Sequence, residues 1–408
     1  MRRLFTLMLL TCSVLFGSLL CDCVAVVDDP SPAQLKKWLK RFPAADTNKD
    51  GELSVKEAAD FRRKMLGKSQ PRRNGVKTGF KVDPGWDEDR FPDHAVSYKT
   101  PTEIKDIYTR QGKGNRTVVS YEKPTDGSLR IVATGHSFMV PGFKTLPLIT
   151  RAAGLKAPPL QTHTGGGVTG STRYKWEQEN GIFQFDKKPV PKLLASISNA
   201  NWDAMMWGPY YKDQPKYYSC WIDFCLKYNP DMKFYLSDAW PQLEQFKPEP
   251  TSETALTHAA IAKLGQEKNE ATAVSVGKLN KLYPGRIFVM PTSDAMVLAV
   301  REYHAGNLPG VEGLHKSLGR KERSLWRDHL GHLGPGLEDL EGYVFYATLY
   351  GKSPELIEGD IRRRKPNSYP TAEMDKVFRR IAWEAVSNHP LSGVVDKDGD
   401  GINDRLSK

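Results

Sequence analysis

From Asp46 to Glu57 the chain reads Asp-Thr-Asn-Lys-Asp-Gly-Glu-Leu-Ser-Val-Lys-Glu. Oxygen-bearing side chains fall at the first, third, fifth, ninth and twelfth places: Asp46, Asn48, Asp50, Ser54 and Glu57. Gly51 is sixth, where the chain must turn sharply, and Glu52 is seventh, where a backbone carbonyl can join the set. A hard cation of calcium's size takes about six to eight oxygens at flexible geometry, and this spacing provides them, with Glu57 chelating through both of its own. A solvated acidic turn would not need all these places filled together. The tail repeats part of the pattern. Asp396, Asp398, Asp400 and Asp404 stand at the first, third, fifth and ninth places around Gly401, and Ser407 stands where the chelating glutamate would be. It reads as a second, incomplete calcium loop or as a disordered acidic tail.

A different chemistry is suggested by Gly135-His-Ser-Phe138, directly after the apolar run Leu129 to Thr134. A serine there lies at the carboxyl end of a strand, where open α/β sheets bind their ligands. A following helix would point backbone N–H groups at a developing oxyanion. Gly165-Gly-Gly167 could bring another amide close to a substrate. Far downstream comes Trp326-Arg-Asp-His-Leu-Gly-His-Leu333. Serine, carboxylate and imidazole from separate strand ends are what acyl transfer needs. Without such partners, Ser137 would be a solvent-facing turn residue.

These groups need elements to hold them. Leu35, Trp38, Leu39 and Phe42 recur at helical spacing before the first loop, as do Ala58, Phe61, Met65 and Leu66 after it. Residues 31–68 resemble the EF-hand family. Such motifs usually pair, and one complete loop alone implies a structural site rather than a sensor. The spacing predicts strands at 129–134, 202–207, 232–236 and 286–290, and helices at 143–153, 252–282, 294–303 and 340–350. Strands alternating with helices indicate an α/β fold, a parallel sheet flanked by helices. Residues 1–25 read as a leader, 69–126 as a Pro- and Gly-rich linker, 127–352 as the α/β domain and 353–408 as a C-terminal extension.

Residues 127–352 resemble the SGNH/GDSL hydrolase superfamily, particularly its exported bacterial esterases. Gly135-His-Ser137 stands at that family's nucleophile block, Gly165 to Gly167 looks like its glycine block, and His332-Leu-Gly-Pro before Gly342 to Pro354 looks like its final block. The resemblance implies flavodoxin-like layering, Ser137 as nucleophile, Gly166 as an oxyanion donor, His332 as general base and Asp328 as the group orienting the imidazole. The family separates its aspartate and histidine by two residues. Here three lie between Asp328 and His332, and His329 adjoins Asp328, so His329 is the alternative base. The family's asparagine block should follow the strand at 202–207, where this chain has Trp207-Gly-Pro-Tyr-Tyr211. Tyr210 stands near that position, with a hydroxyl of longer reach. The function implied is a calcium-binding serine esterase acting on an acylated carbohydrate or a similar ester. The alternative is a non-catalytic calcium-binding surface or carbohydrate-binding protein on a degraded hydrolase fold.

Length and charge set the surroundings. The 408 residues suffice for one large core and a small accessory module. Arg2-Arg3, an apolar run from Leu4 to Leu20 and a possible cut after Ala25 read as a signal peptide, with an uncleaved anchor as the second reading. Export to a secreted or periplasmic location without a lasting membrane span is therefore expected. The net charge of +11 is scattered, so nucleic acid is not the expected partner. The one dense run, Arg362-Arg363-Arg364-Lys365, reads as a solvated loop. Of five cysteines, Cys220 and Cys225 fall in the main domain, about 140° apart if helical, which disfavours a bridge. Trp207, Tyr210, Tyr211, Tyr217 and Tyr218 could stack on sugar rings or fill the core. His136 and His163 flank the proposed site.

Overall fold

The computed structural model describes residues 32–58, 60–61, 122–156, 159–164, 173–174, 177, 193–208, 215–362 and 368–406. The chain divides into two compact units, with the boundary between Thr78 and Gly79. The leader and nearly all of the expected linker lie outside the described residues. No helix among the described residues is long and apolar enough to cross a membrane.

In the first unit, α1 spans Pro32–Arg41, and a turn at Pro43–Ala45 leads into the acidic loop. Residues 55–58 are helical again. Ala45, Leu53 and Ala58 are buried, with Leu35, Trp38, Leu39, Phe42 and Phe61 packed around them. The Phe42 and Phe61 rings meet at 5.8 Å. Of the apolar positions predicted from helical spacing, Leu35, Trp38, Leu39, Phe42, Ala58 and Phe61 join this small core, and Met65 and Leu66 lie outside the described residues.

The second unit is built on five parallel strands: β1 Ile131–Gly135, β2 Leu160–Thr164, β3 Ala204–Trp207, β4 Lys233–Ser237 and β5 Ile287–Met290. Their order is β2-β1-β3-β4-β5. Ile131 pairs with Leu160 on one side and Ala204 on the other, and Phe234 pairs with Ile287. β1 and β3 are buried along their whole length, as strands covered on both faces must be. Alternate residues feed two cores. Ile131, Ala133, Met206 and Met290 face one, and Val132, Met205, Trp207 and Val289 face the other.

Over the first face lie α2 (Val140–Ala152), α6 (Thr292–His304), α7 (Glu338–Tyr350) and α8 (Ala372–Asn388); over the second lie α3 (Leu193–Asn199) and α4 (Lys216–Tyr228). The helix α5 (His258–Leu282) sends Ile261 to the first core and Val276 and Leu279 to the second. A parallel pair β6 (Gly313–His315) and β7 (Ser324–Trp326) stands apart from the main sheet. The approach of α2 to α7 depends on two glycines. A Cβ at Gly142 would strike the Phe345 ring, and one at Gly342 would strike the Thr145 side chain. Thr145 Oγ1 donates to the Glu338 carbonyl at 2.9 Å across that contact.

The α/β fold and parallel sheet agree with the sequence expectation, while several details differ. The helix expected from residue 252 begins at His258. Thr257, whose side chain accepts from the Ala260 amide, is its cap, and Glu253–Ala255 form a separate turn. The expected extension from 353 is part of the domain's core. α8 buries Met374, Phe378 and Ile381 in the first cluster, and the Leu391 carbonyl accepts the Val289 amide at 2.9 Å. Arg362 is not a solvated loop residue. Its Nε lies 2.9 Å from both oxygens of the fully buried Asp339 and its Nη2 lies 2.5 Å from one of them. Cys220 and Cys225 are buried thiols with no disulfide, and burial raises both well above the ordinary thiol range. Trp207 and Tyr218 are core residues rather than a sugar platform: the Trp207 indole stacks on Phe234 at 5.3 Å and meets Tyr218 at the same distance.

Candidate active site

β1 ends at Gly135, where the exit of β3 passes so close that a Cβ would lie 3.2 Å from the Gly208 amide and 2.8 Å from Met139 Cγ. Only glycine fits that crossing without a shift. The chain then turns. The Met139 amide donates to the His136 carbonyl at 3.0 Å, and α2 starts at Val140. His136 and Phe138 are buried, and Ser137 between them is exposed. The tight turn therefore puts one hydroxyl outward at the carboxyl edge of the sheet, beside the N-terminus of a helix.

The second half of the site comes from the loop after β7. Trp326 bridges to Leu333, the Arg327 amide donates to the His332 carbonyl at 2.7 Å, and the Gly331 amide donates to the Asp328 carbonyl at 2.8 Å. Gly331 has φ +80°, which favours glycine. The loop is thus closed on itself between Trp326 and Leu333. Asp328 reaches back to accept from the His332 amide at 3.2 Å, and each of its oxygens lies 2.9 Å from His332 Nδ1. His332 Nε2 lies 2.7 Å from Ser137 Oγ, across 195 residues of sequence.

A carboxylate can only accept, so Nδ1 carries the proton, and in the neutral form of the ring Nε2 keeps the lone pair to which the Ser137 hydroxyl can donate. Burial would raise the Asp328 carboxyl, but the hydrogen bonds and charge of His332, with help from Arg327, hold it down at about 2. His329 is outside this line. Its side chain is exposed and its Nδ1 lies 3.7 Å from Glu249. The structure therefore brings Ser137, His332 and Asp328 together and sets His329 apart. Gly166 and Tyr210 lie outside the described residues.

One neighbouring pair was not foreseen. At the end of β2, His163 Nδ1 contacts the buried carboxylate of Glu177. The other oxygen of Glu177 accepts the Leu193 and Leu194 amides at 3.2 and 3.4 Å. Nothing in the sequence around Glu177 marks it, because its partners come from β2 and α3.

The two acidic loops share a local geometry. Asp46 accepts the Lys49 amide at 2.7 Å and the Gly51 amide at 3.0 Å. Asp396 likewise accepts the Gly399 amide at 2.9 Å and the Gly401 amide at 3.2 Å. Asp50 accepts the Glu52 amide, and Asp400 accepts the Ile402 amide. Glu57 folds back over its loop, accepting from both the backbone and the hydroxyl of Ser54 and of Thr47. These bonds, those from Ser54 foremost, hold its carboxyl down at about 2. In the tail, single oxygens of Asp396, Asp398 and Asp404 lie within 4.8 Å of one another. Trp383 Nε1 anchors Asp396 at 2.9 Å, and the Ser353 amide anchors the Gly401 carbonyl at 2.7 Å.

No family model matches the chain, and no curated protein matches it. Among solved structures it is similar to a DUF4886 family protein from Bacteroides uniformis, with 12% identity and a TM-score of 0.40 over 64% of this chain and 95% of that one. A likeness at that level says nothing of what this chain does.

Proposed function

We propose that this chain is an exported serine esterase of the SGNH/GDSL type that removes acyl groups from a carbohydrate or a similar ester, and that its acidic loops bind calcium. The observation that carries the proposal is the continuous line Ser137 Oγ, His332 Nε2, His332 Nδ1, Asp328, with contacts of 2.7 and 2.9 Å. The strand order β2-β1-β3-β4-β5 adds support, because it is a doubly wound order with its crevice at the carboxyl end of β1. Ser137 stands there.

In this reading, His332 Nε2 takes the Ser137 proton as Oγ attacks the ester carbonyl. The new oxyanion would be held by a backbone amide at the nucleophile turn, and the family resemblance assigns the other donors to Gly166 and Tyr210. The tetrahedral adduct collapses, His332 returns the proton to the leaving alcohol, and an acyl-Ser137 ester remains. Water, deprotonated by His332, then cleaves it and restores the serine. Asp328 stays ionised throughout and stabilises the imidazolium that forms.

Calcium fits the donor sets chemically, because both loops present only oxygen. Asp46, Asn48, Asp50, Ser54 and Glu57, with the Glu52 carbonyl, would hold one ion. Asp396, Asp398, Asp400 and Asp404 would contribute to another. A bound ion would cross-link its loop and raise stability by mass action, about 2.7 kcal/mol at a hundredfold excess over the dissociation constant. If melting does not respond to calcium or chelator, or if Asp46→Ala and Glu57→Ala leave the response intact, the first loop is not such a site.

The esterase reading is tested with short-chain aryl esters, acetylated polysaccharides and a fluorophosphonate probe. Hydrolysis and an adduct on Ser137, both lost in Ser137→Ala, are expected. The alternative, a calcium-binding surface protein that has lost turnover, draws on the missing asparagine at Trp207 to Tyr211. It predicts no adduct in folded, calcium-loaded protein.

A further inference from the structure

The imidazole that meets Ser137 sits on a loop, and loops need bracing if a catalytic distance is to hold. The brace comes from the segment leaving β4. Asp238, fully buried, accepts the Thr292 hydroxyl at 2.9 Å and the Ser293 amide at 2.8 Å, which anchors the segment to the start of α6. Ala239 follows with φ +53°, a conformation unusual for a residue with a side chain, and its amide donates to Ser237 Oγ at 3.2 Å. This turn delivers Trp240, 1% exposed, beneath the His332 loop. Gln242 lies so close that a Cβ on Gly331 would be 2.8 Å from its Cγ.

Trp240 Nε1 donates to the Gly331 carbonyl at 2.5 Å. The amide of that same peptide plane, the His332 N–H, donates to Asp328 at 3.2 Å. A peptide is planar, with its N–H and C=O on opposite edges. Pinning both edges fixes the rotation of the plane, and with it the direction in which the His332 side chain leaves the backbone. The indole ring also stacks on Phe138 at 4.9 Å and 21°. Phe138 in turn meets the His332 ring edge-on at 5.3 Å and 83°, and follows Ser137 in sequence. One side chain therefore touches the supports of both the nucleophile turn and the base loop.

We infer that Trp240 is the positioning residue of this site. Its indole N–H sets the peptide that carries His332, and its ring sets the wall against which the imidazole lies. The inference rests on the esterase reading for its kinetic consequence, and the geometry it asserts is measurable without turnover. A tryptophan that only filled the core would lose stability when changed and leave the ring of His332 where it was.

The test uses the full chain with Trp240→Phe, and benzothienylalanine at the same position, which keeps the ring shape and replaces the N–H by sulfur. The readouts are kcat and KM on an aryl ester, melting temperature, and the downfield proton resonance of His332 Nδ1–H. We expect kcat to fall about tenfold in both variants with KM within about twofold, the scale of one buried hydrogen bond and a misplaced base. The resonance should move upfield or broaden. In the benzothienyl variant the ring volume is kept, and the melting temperature should fall only by the few degrees that one orphaned carbonyl costs. If the folded benzothienyl variant keeps both kcat and the resonance of wild type, the positioning role is wrong. If wild type shows neither hydrolysis nor a Ser137 adduct, the esterase reading fails, and the resonance in the variant alone then decides for or against Trp240.

Discussion

Replacing Asp328 by asparagine removes one charge and leaves the side chain's shape. In the proposed reaction His332 becomes a cation in the transition state, and its Nδ1 lies 2.9 Å from the Asp328 carboxylate. Two unit charges about 4 Å apart attract by about 4 kcal/mol at an effective dielectric of 20 and by about 1 kcal/mol in bulk water. The Asp328 side chain is 37% exposed and that of His332 19%, so the true value lies between these limits. Charge alone then predicts a loss in kcat between about fivefold and a thousandfold.

The hydrogen-bond count narrows the range. Asparagine has one acceptor oxygen where Asp328 uses two. One oxygen faces the His332 amide and ring, and the other faces the ring and Arg327 Nε at 3.2 Å. With its oxygen toward His332, the amide nitrogen opposes Arg327, an exposed side chain that can swing away. With the reverse orientation, the nitrogen opposes the His332 amide and favours the wrong imidazole tautomer. In either orientation the asparagine N–H faces the imidazole, because both carboxylate oxygens lie 2.9 Å from Nδ1, so the loss falls toward the upper end, about a hundredfold to a thousandfold in kcat, with KM little changed.

Steady-state hydrolysis and the rate of fluorophosphonate inactivation should fall together. A pH series adds a second check. The Asp328 carboxyl is held at about 2 in the folded chain, below the usual range near 4. Its contribution to stability is therefore full above about pH 4 and lost as pH falls toward about 2, and Asp328→Asn should lack that acid-side loss. A folded variant with kcat within about threefold of wild type would refute the role assigned to this carboxylate.

Three further outcomes follow from the packing. Gly342→Ala would put a methyl 2.8 Å from Ile149 Cδ1 and against Thr145, forcing α2 away from α7; a loss of about 1–3 kcal/mol in urea unfolding is expected, and an unchanged midpoint would count against that close contact. Arg362→Met removes three charged contacts to the buried Asp339 and should cost about 3 kcal/mol, with a solvated-loop arginine predicting almost nothing. Asp238 is raised to about 7, by burial first and by the charge of Asp294 next, against the Ser293 amide, the Thr292 hydroxyl and the charge of Lys268, which lower it. The unfolded chain loses this proton near pH 4 and the folded chain keeps it to about 7, so stability should fall as pH rises across that window. Asp238→Asn should flatten the fall, and parallel unfolding curves for the two proteins would contradict it.

The amino-acid pattern alone revealed β1, β3, β4 and β5 and the helices α2, α5, α6 and α7, because apolar runs and helical spacing are local properties; β2, α3 and α4 were not among the expected elements. It revealed the loop residues Asp46 to Glu57 and the residue types Ser137, Asp328 and His332 for the same reason. α8 carries equally local marks, a Thr371 cap and apolar residues at 374, 378, 381 and 385, yet lay beyond the helices expected from spacing. The spacing to Asp328 left both His329 and His332 open, and only the distance to the final helix favoured His332. The choice depends on a loop closed by the Trp326–Leu333 bridge, which turns one imidazole inward and leaves the other in solvent.

Strand order and the bracing of the site were decided by tertiary structure. β1, β3, β4 and β5 are largely apolar runs, none of which names its neighbour, and β2, Leu160-Gln-Thr-His-Thr164, is not apolar at all. Trp240 and Gly331 are 91 positions apart, and Gly142 and Glu341 are 199 apart. Burial pushes the Glu341 carboxyl well above its usual range and the Gly142 amide accounts for one of its oxygens, an arrangement that exists only once α2 lies on α7. Side-chain type and period are written along the chain. Which polar groups share a buried space depends on how the layers close, and that is fixed by the sum of many weak packing contacts and by no single segment.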